Sequence, residues 1–135
     1  MTDNISLDFE TISRALRRIY LPPVDCVVGI ASGGIVPASL LAYQLDRPLR
    51  LLRINYRAVD NSPRHPMPVL LEDVPALPAK WRILLVDDVS VSGQTLALAR
   101  SLFLGFNVVT FTLKGKADYV LFPEIAACVD WPWKI

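Results

Sequence analysis

A single histidine, His65, and two cysteines, Cys26 and Cys128, with no C-x-x-C spacing, leave no pattern for a structural zinc site. Both cysteines sit in apolar surroundings, so reduced thiols and a cytoplasmic location are expected. Charge of one sign is missing too: 14 basic residues face 13 acidic ones for a net +1, which argues against a broad polycationic face and against a nucleic-acid partner. There is no internal repeat and no low-complexity tract. The opening MTDNIS is polar and lacks a basic region followed by an apolar core, and the Arg17-Arg18 pair runs into Pro22, Pro23 and Asp25, so neither a secretory nor a twin-arginine signal is expected. The run from Cys26 to Leu45 carries no formal charge and has the length of a membrane span. Ser32, Gly33, Gly34, Pro37, Ser39 and Gln44 interrupt it, so it divides into a strand and a helix around a Gly-rich turn, and no membrane partner is expected.

What is present reads as one domain, residues 1–135, large enough to bury roughly two thirds of its unfolded surface. Ser6 or Asp8 can cap a first helix with Phe9, Ile12, Leu16 and Ile19 at helical spacing, ending before Pro22-Pro23. That helix packs on a sheet or on a neighbouring subunit. Strand signals follow at Cys26 to Ile30, Leu49 to Asn55, Ile83 to Val86 and Asn107 to Leu113, with Met67 to Leu71 as a hairpin return. Between them lie helical patterns over Ile35 to Leu45 and from about Gln94, the latter with Leu96, Leu98, Ala99, Leu102 and Phe103 as its apolar face and Gly105 at its end. This alternation predicts an α/β fold, a mainly parallel twisted sheet with helices on both faces.

The segment Arg82 to Leu96, RILLVDDVSVSGQTL, organises the rest. A continuous apolar run, as in a buried parallel strand, stops at Asp87 and Asp88 and gives way to small residues that open a helix. Ser90, Ser92 and Thr95 offer hydroxyls, Gly93 permits a tight turn, and free N–H groups at the helix start suit a phosphate. Two adjacent carboxylates do nothing for a phosphate, so something bearing hydroxyls or a divalent metal belongs beside it. A sugar phosphate satisfies both halves. No lysine follows Gly93, so this is not a Walker A loop, and it is not G-x-G-x-x-G either. The plainer alternative is an acid pair that merely caps a helix. In full, the stretch closely resembles the signature of type I phosphoribosyltransferases, an apolar strand followed by D-D/E-x-x-x-T/S-G-x-T, which binds phosphoribosyl diphosphate (PRPP).

That resemblance assigns roles by position. Asp87 and Asp88 would be the catalytic pair holding ribose hydroxyls, and Val89, Ser90, Val91, Ser92, Gly93, Gln94 and Thr95 would hold the 5′-phosphate. A second strand, turn and helix unit contains Ala31, Ser32, Gly33 and Gly34, which look like the pyrophosphate loop, although a Gly-Gly turn by itself is also an ordinary βα connection. The Pro-rich segment 56–68, which includes His65, falls where the family has a flexible flap that excludes water. The tail, 114–135, resembles the hood of the 6-oxopurine branch: Lys114 takes the place of the donor to the purine O6, and Val129 that of the backbone reading the base edge. Phe122, Tyr119 or Trp131 could stack on the base or pack in the core.

The resemblance implies Mg²⁺-assisted attack of a nitrogenous base on C1′ of PRPP, with diphosphate leaving through an oxocarbenium-like transition state. Mg²⁺ would be held mainly by the substrate, with no dedicated protein metal site. The expected partners are PRPP and a nucleobase, and a homodimer or higher homo-oligomer is expected. Three departures stand out: Ser32 where xanthine- and guanine-type members usually have Arg, Val91 where 6-oxopurine enzymes carry an Asp, and Cys128 in place of a base-stacking aromatic. They feed a competing expectation, a PRPP- or nucleotide-binding sensor of the same fold that has lost turnover.

Overall fold

The computed structural model describes residues 4–55 and 69–134. The segment 56–68 assigned above to a flap, with His65, lies outside the described residues. In chain order the elements are β1 (Ile5–Ser6), α1 (Phe9–Arg18), β2 (Cys26–Ala31), α2 (Ile35–Leu45), β3 (Leu49–Asn55), β4 (Val69–Leu70), β5 (Arg82–Ser90), α3 (Gln94–Ser101), β6 (Asn107–Gly115), β7 (Tyr119–Val120) and β8 (Val129–Asp130). Six strands form one sheet in the order β4-β3-β2-β5-β6-β7, parallel except for β4, and β1 pairs with β8 in a separate two-stranded parallel ribbon.

The central strands β2 and β5 are apolar on both sides because both sides are covered. Val27, Leu84 and Val86 face Ile12 and Leu16 of α1 and Ala38, Leu41 and Ala42 of α2. Cys26, Val28, Ile30, Ile83 and Leu85 face Leu96 and Ala99 of α3, with Phe103 beyond it. Burial pushes the Cys26 thiol above its ordinary pKa, so it behaves as a small apolar side chain. The uncharged run Cys26 to Leu45 is therefore a strand and a helix of this sandwich, and among the described residues no helix is long and apolar enough to cross a membrane.

Helix α1 begins where the sequence calls for a cap: Asp8, not Ser6, accepts a hydrogen bond from the Thr11 N–H at 2.8 Å, a contact worth about 1 kcal/mol. Its buried residues Ile12 and Leu16 pack on the sheet beside α2, so its apolar stripe is satisfied within the chain. The tail folds onto the same face. Val129, Trp131 and Phe122 join this core cluster, Trp133 stacks on Trp131 at 5.6 Å, and Phe9 meets Trp133 edge-on at 5.8 Å. Of the aromatics considered for base stacking, Phe122 and Trp131 are thus core residues, and Tyr119 is half-buried against the same cluster.

At the amino-terminal edge of the sheet, Asp25 and Arg82 form a two-pronged ion pair, with both oxygens 3.0 Å from the guanidinium and a further 2.8 Å bond from the Arg82 N–H to Asp25. These bonds hold the Asp25 carboxyl down to a pKa of about 2. A carboxyl depressed on folding adds stability that is complete above its ordinary unfolded value and is lost as the pH falls toward 2. Asp25→Asn is therefore expected to lower Tm at pH 7 and to flatten the fall of Tm between pH 4 and pH 2. Thermal scans across that range check it, and identical slopes in the two proteins would contradict the assignment.

Candidate functional site

The site follows from the direction of the connections. From β2 the chain runs through α2 outward to β3, whereas from β5 it runs through α3 to β6 on the other side. The two adjacent central strands feed crossovers in opposite directions, which opens a crevice at their carboxyl ends. Their mutual pairing ends at Gly29 opposite Val86, although β2 continues to Ala31 and β5 to Ser90. Everything the sequence offered as phosphate- or sugar-binding, apart from the tail, lies at or beside this crevice.

Strand β5 is longer than its apolar run. Val86 was expected to end it, but β6 keeps pairing as far as Ser90 opposite Gly115, so Asp87, Asp88, Val89 and Ser90 belong to the strand and the open loop is only 91–93. Polar residues remain in a strand here because β6 goes on supplying backbone partners after the pairing with β2 has ended. Asp87 is 8% exposed and lies opposite Thr112, whereas Asp88 is more open. Both carboxylates are fixed by short local bonds: the Asp88 N–H donates to Asp87 Oδ1 at 2.8 Å and the Val89 N–H to Asp88 Oδ1 at 2.7 Å.

The turn after β2 comes directly against this pair. A Cβ placed on Gly33 would lie 2.6 Å from Asp88 Oδ2, so any larger residue there would displace the carboxylate from the turn. Ala31 is the buried last residue of β2 and is joined to exposed Ser32 by a cis peptide bond. Inside the turn, the Gly34 N–H donates to Ile30 O at 2.8 Å and the Ile35 N–H to Ser32 O at 3.1 Å. The N–H groups that this turn can offer to an anion are therefore those of Ser32 and Gly33, while Gly34 serves the turn itself.

Across the crevice, Gly93 adopts φ +83 at the start of α3, and an added Cβ would meet nothing within 4 Å. Its left-handed backbone, not crowding, is what favours glycine. The Ser92 hydroxyl accepts from the Gln94 N–H at 3.3 Å, which leaves the N–H groups of Thr95 and Leu96 at the helix terminus facing outward. Val91 is 60% exposed beside them. Ser90 differs from its neighbours: it is buried, its hydroxyl has no protein partner, and its carbonyl accepts from the Lys116 N–H at 2.9 Å.

The tail residues are brought together, but with roles exchanged. The Lys114 ammonium donates to Ala127 O at 2.7 Å and reaches Ala126 O at 3.4 Å, so it ties the end of β6 to the hood. Val129 has its side chain in the core and pairs with Ile5, where the Ile5 N–H takes Cys128 O at 2.9 Å, so only its backbone can face a ligand. Asp118 anchors the turn after β6. Burial raises its pKa, but hydrogen bonds from the Thr110 N–H at 3.0 Å and from Arg100 at 2.6 Å outweigh that and hold it below the ordinary value. Sequence reasoning passed over Thr112, whose fully buried hydroxyl lacks a protein partner beside Asp87; its signal was a threonine inside the apolar run Asn107 to Leu113.

At one switch point the α/β sheet thus brings together two turns that present backbone N–H groups and a carboxylate pair. The phosphoribosyl transferase domain family matches residues 9–113, and the chain belongs to that family. An orotate phosphoribosyltransferase of Sulfurisphaera tokodaii is 31% identical over 90 residues, which is 67% of this chain and 42% of that protein, so the match spans less than half of that relative's length. Among solved structures, the purine phosphoribosyltransferase of Pyrococcus horikoshii superposes with a TM-score of 0.81 at 24% identity, covering 98% of this chain and 95% of its own. A Neisseria gonorrhoeae protein with bound ppGpp gives 0.74 at 24% identity, covering 100% and 91%.

Because a β-branched residue resists φ +83, Gly93→Val is expected to cost about 1–2 kcal/mol of stability. It should also weaken ribose 5-phosphate binding at least tenfold, by displacing the N–H groups at the start of α3. Urea unfolding and calorimetry check the two effects, and unchanged affinity would move the phosphate away from this loop.

Proposed function

We propose that this chain transfers the phosphoribosyl group of PRPP to a nitrogenous base, preferring a 6-oxopurine, and releases diphosphate. The observation that carries the reading is the contact of Gly33 with the Asp88 carboxylate, which joins an anion-binding turn and a hydroxyl-accepting pair in one crevice. A ribose laid along β5 would reach three groups at once. Asp88, with Asp87 behind it, accepts hydrogen bonds from the 2′- and 3′-hydroxyls. Residues 91–95 hold the 5′-phosphate at the start of α3, and Ser32 and Gly33 face the leaving diphosphate. As the C1′ to oxygen bond breaks, positive charge grows on the ribose and negative charge on the diphosphate. Fixed carboxylates and fixed N–H groups favour both without reorganising.

Magnesium fits this arrangement. The acid pair provides the one or two carboxylates that accompany a phosphate-bound Mg²⁺. When bound, the ion neutralises diphosphate charge.

Base preference rests on Lys114. Two carbonyls hold its ammonium and leave one N–H direction, which suits a purine O6 and opposes the amino group of adenine. Helix α3 begins behind Val91, where no side chain can take a base proton, so turnover should be slow. Salvage of purines and assembly as a homo-oligomer belong to the same reading.

The test is a panel of hypoxanthine, guanine, xanthine, adenine and orotate incubated with PRPP and Mg²⁺ and read by diphosphate release. A 6-oxopurine should lead, Asp87→Asn with Asp88→Asn should abolish release, and orotate or adenine leading would overturn the base assignment. In the same assay Lys114→Met should lower the hypoxanthine-to-adenine ratio at least tenfold, about 1.4 kcal/mol of transition-state difference. An unchanged ratio would mean that Lys114 only braces the hood.

A second reading is a nucleotide-binding regulator. The exposed Val91 and the likeness to the Neisseria protein with bound ppGpp favour it. Tight binding of PRPP or ppGpp with no release from any base would select it.

A further inference from the structure

A diphosphate carries several negative charges, yet the turn expected to receive it, Ala31 to Gly34, contains no cation. Among the described residues, the other cations toward this end of the sheet are committed or distant. Lys114 is turned to the Ala126 and Ala127 carbonyls, and Lys116 lies past β6, on the far side of β5 from this turn. Arg53 is different. It lies on β3 directly opposite Ala31, the residue from which the turn departs. Alternation along β3 sends Leu52 and Ile54 to the α3 face and Leu49 to the face covered by α2. Arg53 therefore projects on the α2 side, the side to which the turn after β2 bends. Neighbouring strands are about 4.8 Å apart, and a guanidinium stands farther than that from its own Cα, so it can reach across one strand to the turn. Helix α2 adds to the field there, since its start at Gly34 has no side-chain cap and no acidic residue in its first turn.

What the guanidinium touches instead is Glu72, with Arg53 Nε 2.9 Å from Glu72 Oε1 and both side chains about half exposed, at 46% and 62%. Glu72 stands just after β4, and the Leu71 N–H donates to Arg53 O at 2.9 Å, so the chain delivers this carboxylate to the arginine by backbone pairing. An exposed ion pair of this kind is weak, and a diphosphate oxygen with higher charge density can displace the carboxylate. Resting on the proposed reading of the crevice, we propose that Arg53 is a cation of the diphosphate end and that Glu72 occupies it until diphosphate arrives. Glu72 then sets the affinity: it competes with the leaving group, favouring release of diphosphate after transfer.

Calorimetry with inorganic diphosphate and, separately, ribose 5-phosphate tests this on the full chain. Arg53→Met should weaken diphosphate binding at least tenfold and change ribose 5-phosphate binding less than twofold. Glu72→Gln, an exposed substitution that leaves the backbone pairing in place, should tighten diphosphate binding severalfold, and Arg53→Met with Glu72→Gln should behave as Arg53→Met alone. Equal weakening of both ligands in a folded Arg53→Met would overturn the assignment, and no tightening in Glu72→Gln would overturn it even if Arg53→Met folds poorly. Should wild-type protein bind neither ligand, the reading of the crevice fails along with it. Should it bind both while the variants match wild type, only the roles of Arg53 and Glu72 fail.

Discussion

The contact between Gly33 and the Asp88 carboxylate is the constraint on which the site depends. It exists because β2 and β5 are neighbours whose crossovers leave in opposite directions, so their ends splay while the turn after β2 still crosses toward β5. The close approach forces glycine on one side and a short, backbone-held acid on the other. The two-faced core serves this end: α1 and α2 press one side of the central strands and α3 the other, fixing the strand ends against which the turns are built.

In the proposed reading, charge is distributed along the crevice to match a ligand that changes charge as it reacts. Carboxylates sit in the middle, backbone N–H groups at each end, and net protein charge near zero leaves the local arrangement to decide what binds. The hood is held by different forces. It is bound to the body by indole and phenyl packing, by the short β1 and β8 ribbon, and by an ammonium buttoned to two carbonyls. The hood is thus shaped by the same contacts that close the fold, and Lys114 is one of them.

Much of this was legible in the chain itself. The order of the main strands and helices, the parallel sheet, a cap at Ser6 or Asp8 and both turns follow from periodicity and turn chemistry, because those signals are local. Three features were not. The extension of β5 through Asp87 to Ser90 depends on β6 being long enough to pair with it, which no local pattern in β5 records. Pairing of β1 with β8 joins segments at opposite ends of the chain, and two-residue strands carry no periodicity. The positions of Arg53 and Glu72 depend on register across β3, and charged residues on an exposed face look alike in sequence. Aromatics were ambiguous for a related reason: Trp131 and Phe122 read equally as stacking platform or core, and burial on the α1 face decides for the core.

The most direct measurement of the central claim is a crystal structure with PRPP bound. The account predicts ribose hydroxyls within hydrogen-bond distance of Asp88, the 5′-phosphate on the N–H groups at the start of α3, and the diphosphate on the Ser32 and Gly33 N–H groups. A ligand lying outside the crevice between β2 and β5, or one running with its diphosphate at α3, would contradict it.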